Sequence, residues 1–160
     1  MINTTLIKKW NLASKTKSVR AKPLISIMVD RSVTSKFLVD CIEGKEPLQD
    51  GVVICLGEAG DVWQQMPKKL LQKYDVVEID KDGWMLCNPK PDNAVNCVEI
   101  TKEMIGSENE YILGKYGEQH EDGLRQFCKE GDFICQDRVD STDTWIVARK
   151  IFLNTYSIKS

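Results

Sequence analysis

The chain has one histidine, no Cys-x-x-Cys pair, and no Gly-x-x-x-x-Gly-Lys-Ser/Thr loop. It also lacks an apolar run near the length of about eighteen residues that a membrane helix needs. The longest such run, Leu24 to Val29, is broken by Ser26. Each absence removes a class of function. Zinc knuckles need closely spaced thiols. Nucleotide-binding P-loops need that glycine spacing before a long helix, whereas Gly57-Glu58-Ala59-Gly60 lies between two apolar stretches that read as strands. Asp137, Asp140 and Asp143 lack the glycine and terminal glutamate of a Ca²⁺ loop, so they read as a polar hairpin tip. No metal and no cofactor is expected. No secretory hydrophobic stretch opens the sequence, and a soluble, cytoplasmic chain without a membrane span is expected.

The 160 residues are 42% hydrophobic and 29% charged, a globular balance that allows one domain or two small packed halves. The six cysteines stand among apolar neighbours, as in Val53-Ile54-Cys55-Leu56 and Phe133-Ile134-Cys135. That context predicts buried reduced thiols acting as small hydrophobes rather than a disulfide framework. Charge is unevenly spread. Residues 1–29 carry Lys8, Lys9, Lys15, Lys17, Arg20 and Lys22 and no acid, leaving 16 basic against 24 acidic residues beyond them. A basic leader of this kind can dock on its acidic body, bind nucleic acid or anionic lipid, or serve as an organelle transit peptide, for which one arginine is thin support. The amphipathic stretch Thr5 to Leu12, with Trp10 beside Leu6 and Ile7, predicts a short helix against the body.

The chain resembles itself. Gly51, Ile54 and Cys55 match Gly131, Ile134 and Cys135 at an offset of 80; Asp61, Trp63, Lys68, Leu71 and Tyr74 match Asp143, Trp145, Lys150, Leu153 and Tyr156 at 82. Eight identities thus fall in the 26 residues from Gly51 to Val76, where unrelated segments of ordinary composition give about one or two. The shared segment reads as strand, turn at Glu58-Ala59-Gly60, return strand Asp61 to Gln65, and a short helix opened by Pro67. Its second copy pairs Phe133 to Gln136 with Thr144 to Val147 across the loop Asp137 to Asp143, then forms a helix over Lys150 to Tyr156. Trp63 and Trp145, with Tyr74 and Tyr156, read as one set of hydrophobic keystones per copy; ligand platforms are the alternative role for the tryptophans.

Upstream, Leu24 to Val29 and Ala94 to Ile100 each follow a Lys-Pro pair and are expected to be strands. Val33 to Ile42 has helical spacing with Ser32 as a cap. Glu110 to Lys115 reads as a strand, and Lys81-Asp82-Gly83 as a turn before a strand over Trp84 to Cys87. From Pro23 to Gly51 is 28 positions and from Pro91 to Gly131 is 40, so the second copy holds an insertion around Tyr111 to Lys129. The expected fold is α+β: two divergent repeat units, each a small, mainly antiparallel sheet with a short helix after the Trp strand. The expected divisions are a basic leader at 1–17, a first unit at 18–80, and a second at 81–160 with its inserted loop at 111–129.

The second copy, Glu130-Gly131-Asp132-Phe133-Ile134 with Thr144 to Val147 and Ile151-Phe152-Leu153 before Tyr156, resembles the bacterial and phage PGDYG proteins. In that pattern a Gly-Asp turn enters a strand, a Trp-rich strand returns and a Phe-and-Tyr helix closes the unit. Glu130 stands where the pattern has proline, and Phe133-Ile134 where it has Tyr-Gly. The resemblance implies unit boundaries and no activity.

The scarcity of catalytic side chains favours a non-enzymatic binding or regulatory protein that engages a protein partner in the groove between units, by an edge strand or through the inserted loop. Candidate contacts on that loop are Tyr111, Lys115, Tyr116 and Arg125. The alternative is a small hydrolase- or transferase-like enzyme with a site near His120 at the interface between units, using Glu118, Glu121 or Cys128. Nucleic-acid binding through the basic leader, with Trp10 or Trp84 as a stacking face, is the third reading.

Overall fold

In a computed structural model of the chain, residues 1–31, 38–41, 44–47, 49–106, 111–113 and 125–159 are described, with backbone alone at 28–31, 38–41, 44–47, 111–113 and 125. A 3-10 turn at Thr4–Leu6 leads to strands β1 (Asn11–Lys15) and β2 (Val19–Pro23) and helix α1 (Leu24–Arg31). A small pair follows, β3 (Leu38–Cys41) with β4 (Gly44–Pro47). Then come β5 (Val53–Gly57), β6 (Val62–Gln65), α2 (Pro67–Lys73), β7 (Tyr74–Ile79), β8 (Met85–Pro89) and β9 (Ala94–Glu99). The chain ends with the pair β10 (Tyr111–Leu113) and β11 (Arg125–Phe127), then β12 (Phe133–Gln136), β13 (Thr144–Val147), α3 (Arg149–Thr155) and β14 (Tyr156–Lys159).

The main framework is two five-stranded antiparallel sheets, ordered β6-β5-β2-β8-β7 and β13-β12-β9-β1-β14. Their ladders keep the same register. In the first sheet Cys55 lies opposite Trp63 on one side and Ala21 on the other. In the second, Cys135 lies opposite Trp145 and Cys97. Tyr74 faces Pro89 across the edge ladder of one sheet as Tyr156 faces Lys15 in the other. Each sheet takes one strand from the opposite side of residue 80: β8 enters the first sheet and β1 the second. The two sheets are therefore linked by reciprocal strand exchange.

The residues at the sheet centres are small because cross-strand neighbours on a pleated face stand about 4.5–5.5 Å apart under the covering helix. Ala21, Cys55 and Cys87, and Ala13, Cys97 and Cys135, are all fully buried. Leu70 of α2 closes one core and Phe152 of α3 the other. Phe152 stacks between Phe133 and Tyr156, with ring centroids 3.8 and 4.8 Å away. The opposite face of the second sheet buries Ile134 and Ile146 under Ile2, Ile100, Met104 and Cys128. Cys55, Cys87, Cys97, Cys128 and Cys135 are free thiols in buried positions. Burial pushes Cys55 up to about 12 and Cys97 up to about 11, as expected for structural rather than reactive thiols.

Several local expectations match the structure: the turn at Glu58–Gly60, the hairpin strands β12 and β13, and the helices after each Trp strand. Pro67 opens α2 at its first turn. Three expectations are corrected. Leu24 to Val29 is helical, because the neighbouring Val19–Pro23 already fills the strand position between β5 and β8; a short apolar run cannot by itself choose between helix and strand. The leader holds a single 3-10 turn, capped by the Asn3 side chain, and then a strand instead of a helix over Thr5 to Leu12. A helix that short is marginal in isolation, and β1 gains ladders on both edges, with β9 and β14. Within Val33 to Ile42, Leu38–Cys41 is a strand rather than a helix, and the other positions lie outside the described residues.

Candidate binding cleft

The two Trp strands and the two helices meet at the junction of the sheets and enclose a cleft of about 470 Å³, within the range of small-ligand sites. Both tryptophans line it while packing against the core of their own sheet. They thus combine the keystone position with a face turned to the cavity. Tyr74 and Tyr156 line it as well, and burial raises the pKa of both phenols.

The two sides of the junction carry different chemistry on matching positions. Lys69 and Lys73 of α2 reach over Trp145, 5.5 and 5.6 Å from its ring. They also clamp the β12–β13 hairpin: Lys69 pairs with Asp143, and Lys73 with Asp137 at 3.2 Å. Burial works against ionisation of Asp137, but backbone N–H donors from Asp140 and Val139 and the Lys73 ammonium hold its carboxyl well below the usual range. In α3, offset by 82 positions, Ile151 and Thr155 take the places of Lys69 and Lys73. Ile151 joins an apolar cluster that Ala59 of the other hairpin covers. One contact is an ionic clamp and its counterpart an apolar seat.

Lys15 is a further cation of the cleft. Strand β1 delivers it to the cleft, with its ammonium 4.9 Å from the Trp63 ring and 4.6 Å from the Tyr156 ring. Among the described residues it forms no salt bridge, and burial lowers its pKa, with Asp61 partly opposing the effect. Asp61 folds its carboxylate over Gly57, where an added Cβ would overlap it, and its Oδ1 is buried without a donor. Asn93 is only 4% exposed, and its Nδ2, beside Tyr74, meets no acceptor at hydrogen-bond geometry. A cation, a donor and an acceptor thus stand among aromatic walls without a partner at salt-bridge or hydrogen-bond geometry among the described residues, the donor close to the Tyr74 phenol and the cation within the field of Asp61. Such a set is costly in a folded chain unless something else satisfies it.

His120, Glu118, Glu121, Lys115 and Tyr116 lie outside the described residues. Tyr111 and Arg125 are placed by backbone at opposite ends of the β10–β11 ladder, where Tyr111 pairs with Phe127 and Arg125 with Leu113. Cys128 is buried in the apolar cluster on the face of the second sheet away from the cleft. Among the described residues no group of three or more metal-ligating side chains converges, and no helix is long and apolar enough to cross a membrane. Sequence reading passed over Lys15, Asn93 and Asp61 as cleft residues. Asp61 alone carried a signal, through its match to Asp143. Comparison with protein-family models, curated proteins and solved structures finds no match to this chain.

Proposed function

We propose that this is a non-enzymatic binding protein that seats a segment of a partner protein in the cleft between its two sheets. The observation that carries the reading is the convergence of Trp63 and Trp145, one from each sheet, on a cavity where the buried Asp61 Oδ1 and Asn93 Nδ2 meet no partner at hydrogen-bond geometry. Large, half-buried aromatics at a concave site are the usual anchors of recognition. We further propose that the two sheets descend from one duplicated unit related to the PGDYG pattern. The matched ladders, the equivalent helices and the eight sequence identities support this. After duplication the cleft could diverge on its two sides without disturbing either core, as the exchange of Lys69 and Lys73 for Ile151 and Thr155 illustrates.

The test is a pull-down from a cell extract with the whole chain, beside the double variant Trp63→Ala, Trp145→Ala and a chain lacking 111–129. A partner retained by the parent chain and lost by a folded double variant supports the cleft. A partner lost only with 111–129 moves the contact to the inserted loop. No partner in any arm refutes the binding reading.

A further inference from the structure

We propose that the cleft recognises the C-terminal residue of a peptide chain, pairing its terminal carboxylate with Lys15 and Asn93 and its amide N–H with Asp61. This deepens the binding reading and rests on it. The argument starts from what the site lacks. The Lys15 ammonium has two aromatic faces beside it but no anion in salt-bridge contact among the described residues. Ring faces attract a cation without satisfying its hydrogen-bond donors. Asn93, 4% exposed and lining the same cleft beside the Tyr74 phenol, brings in its Nδ2 a second donor that meets no acceptor at hydrogen-bond geometry. Two donors, one charged, define a site for a carboxylate.

The ligand must also donate a hydrogen, because the Asp61 carboxylate lines the cleft with one oxygen unsatisfied. A carboxylate with an N–H on its α-carbon supplies both groups. That description fits a free amino acid and a peptide terminus alike, and the room in the cleft, about 470 Å³, favours the longer chain over a single residue. The tryptophan walls remain for the terminal side chain, and about 470 Å³ leaves room beyond a carboxylate alone.

The probe is the acetylated tripeptide Ac-Ala-Ala-Phe, tested on the whole chain by calorimetry and by NMR of the Trp63 and Trp145 indole N–H signals. It is compared with its C-terminal amide, free phenylalanine and inorganic phosphate. The acid is expected to bind and shift both indoles, with the amide and free phenylalanine at least tenfold weaker and phosphate without effect. Lys15→Met, its fold checked by circular dichroism, is expected to lose at least tenfold. Should that variant not fold, Asn93→Asp, which puts an acid where the donor stands, is expected to do the same. Equal affinity for acid and amide, tighter binding of phosphate or free phenylalanine, or retention by these variants would overturn the proposal. If a cleft-dependent partner is captured but holds on equally when its C-terminus is amidated, this inference fails and the binding reading stands. If no partner is captured and no peptide binds, both fail.

Discussion

Lys15 illustrates a residue kept at a cost to the fold. Its pKa lies below the ordinary 10.5 because burial disfavours the charged form. For a base depressed in this way the cost is complete at pH below the folded value, and disappears as pH rises from there towards 10.5. Lys15→Met is therefore expected to stabilise the chain by about 1 kcal/mol or more at pH 7, with the difference closing in alkali. Urea unfolding at pH 7 and pH 10.5 checks this; a destabilised variant would contradict it. Gain of stability with loss of ligand is the signature of a functional rather than structural charge. Asp137 behaves oppositely. Its folded pKa is depressed below 3.8, so its contribution is present above that pH and fades as pH falls below it. Asp137→Ala removes acceptors for two backbone N–H groups as well as the Lys73 pair. It is expected to cost about 1–2 kcal/mol at neutral pH, and the gap to the parent should narrow in acid melts below pH 3.8.

At the level of elements, the two short helices work as lids on their sheets. Neither has a side-chain N-cap hydrogen bond, and each spans seven residues. Their stability must come from the face they bury, since helices of that length have little of their own. Phe152 is fully buried between two stacked rings, so Phe152→Ala is expected to destabilise by about 3–5 kcal/mol. Leu153, next to it and 57% exposed, is the control, with Leu153→Ala expected within about 0.5 kcal/mol of the parent. Chemical denaturation separates the two; similar losses would mean that α3 does not sit on the sheet as described. The glycine at 57 has an equally local role. Its missing Cβ is the space into which Asp61 folds, so the hairpin tip shapes the cleft as well as reversing the chain.

For the whole molecule, strand exchange makes folding of the two sheets interdependent. Among the described residues, β7 pairs with β8 alone, which residues 1–80 lack, and β14 pairs with β1 alone, which residues 81–160 lack. Each fragment would leave its last strand without a ladder and its small central residues exposed. Neither fragment alone is expected to show a cooperative thermal transition, whereas an equimolar mixture is expected to recover one. Calorimetry of the fragments, singly and mixed, decides it. Independent melting of either fragment would show that the exchanged strand is dispensable. The intact chain is expected to unfold in one step, because each half of the chain places strands in both sheets and the Lys69–Asp143 and Lys73–Asp137 pairs join the sheets across the cleft.

How much of this was legible in the sequence depended on the range of the interaction. Strands β12 and β13, the turn at Glu58–Gly60 and the helix behind Pro67 were readable, because alternation, turn residues and the proline at the helix start act over a few positions. The likeness of 51–76 to 131–158 was readable because both segments meet the same packing demands, down to Trp63 and Trp145. Leu24 to Val29, expected as a strand, and Thr5 to Leu12, expected as a helix, were misread because short apolar patterns suit helix and strand alike, and distant strands made the choice. The cleft was least legible. Lys15, Asn93 and Asp61 come from three separate elements, and nothing local distinguishes a lysine that will lie between two rings from one in solvent. The amino-acid sequence by itself determined the hairpins, the short helices and the paired tryptophans, through forces that act between near neighbours. Only the tertiary structure decided which sheet each strand joined and which charges were left without partners, because both outcomes depend on which distant segments exclude water together.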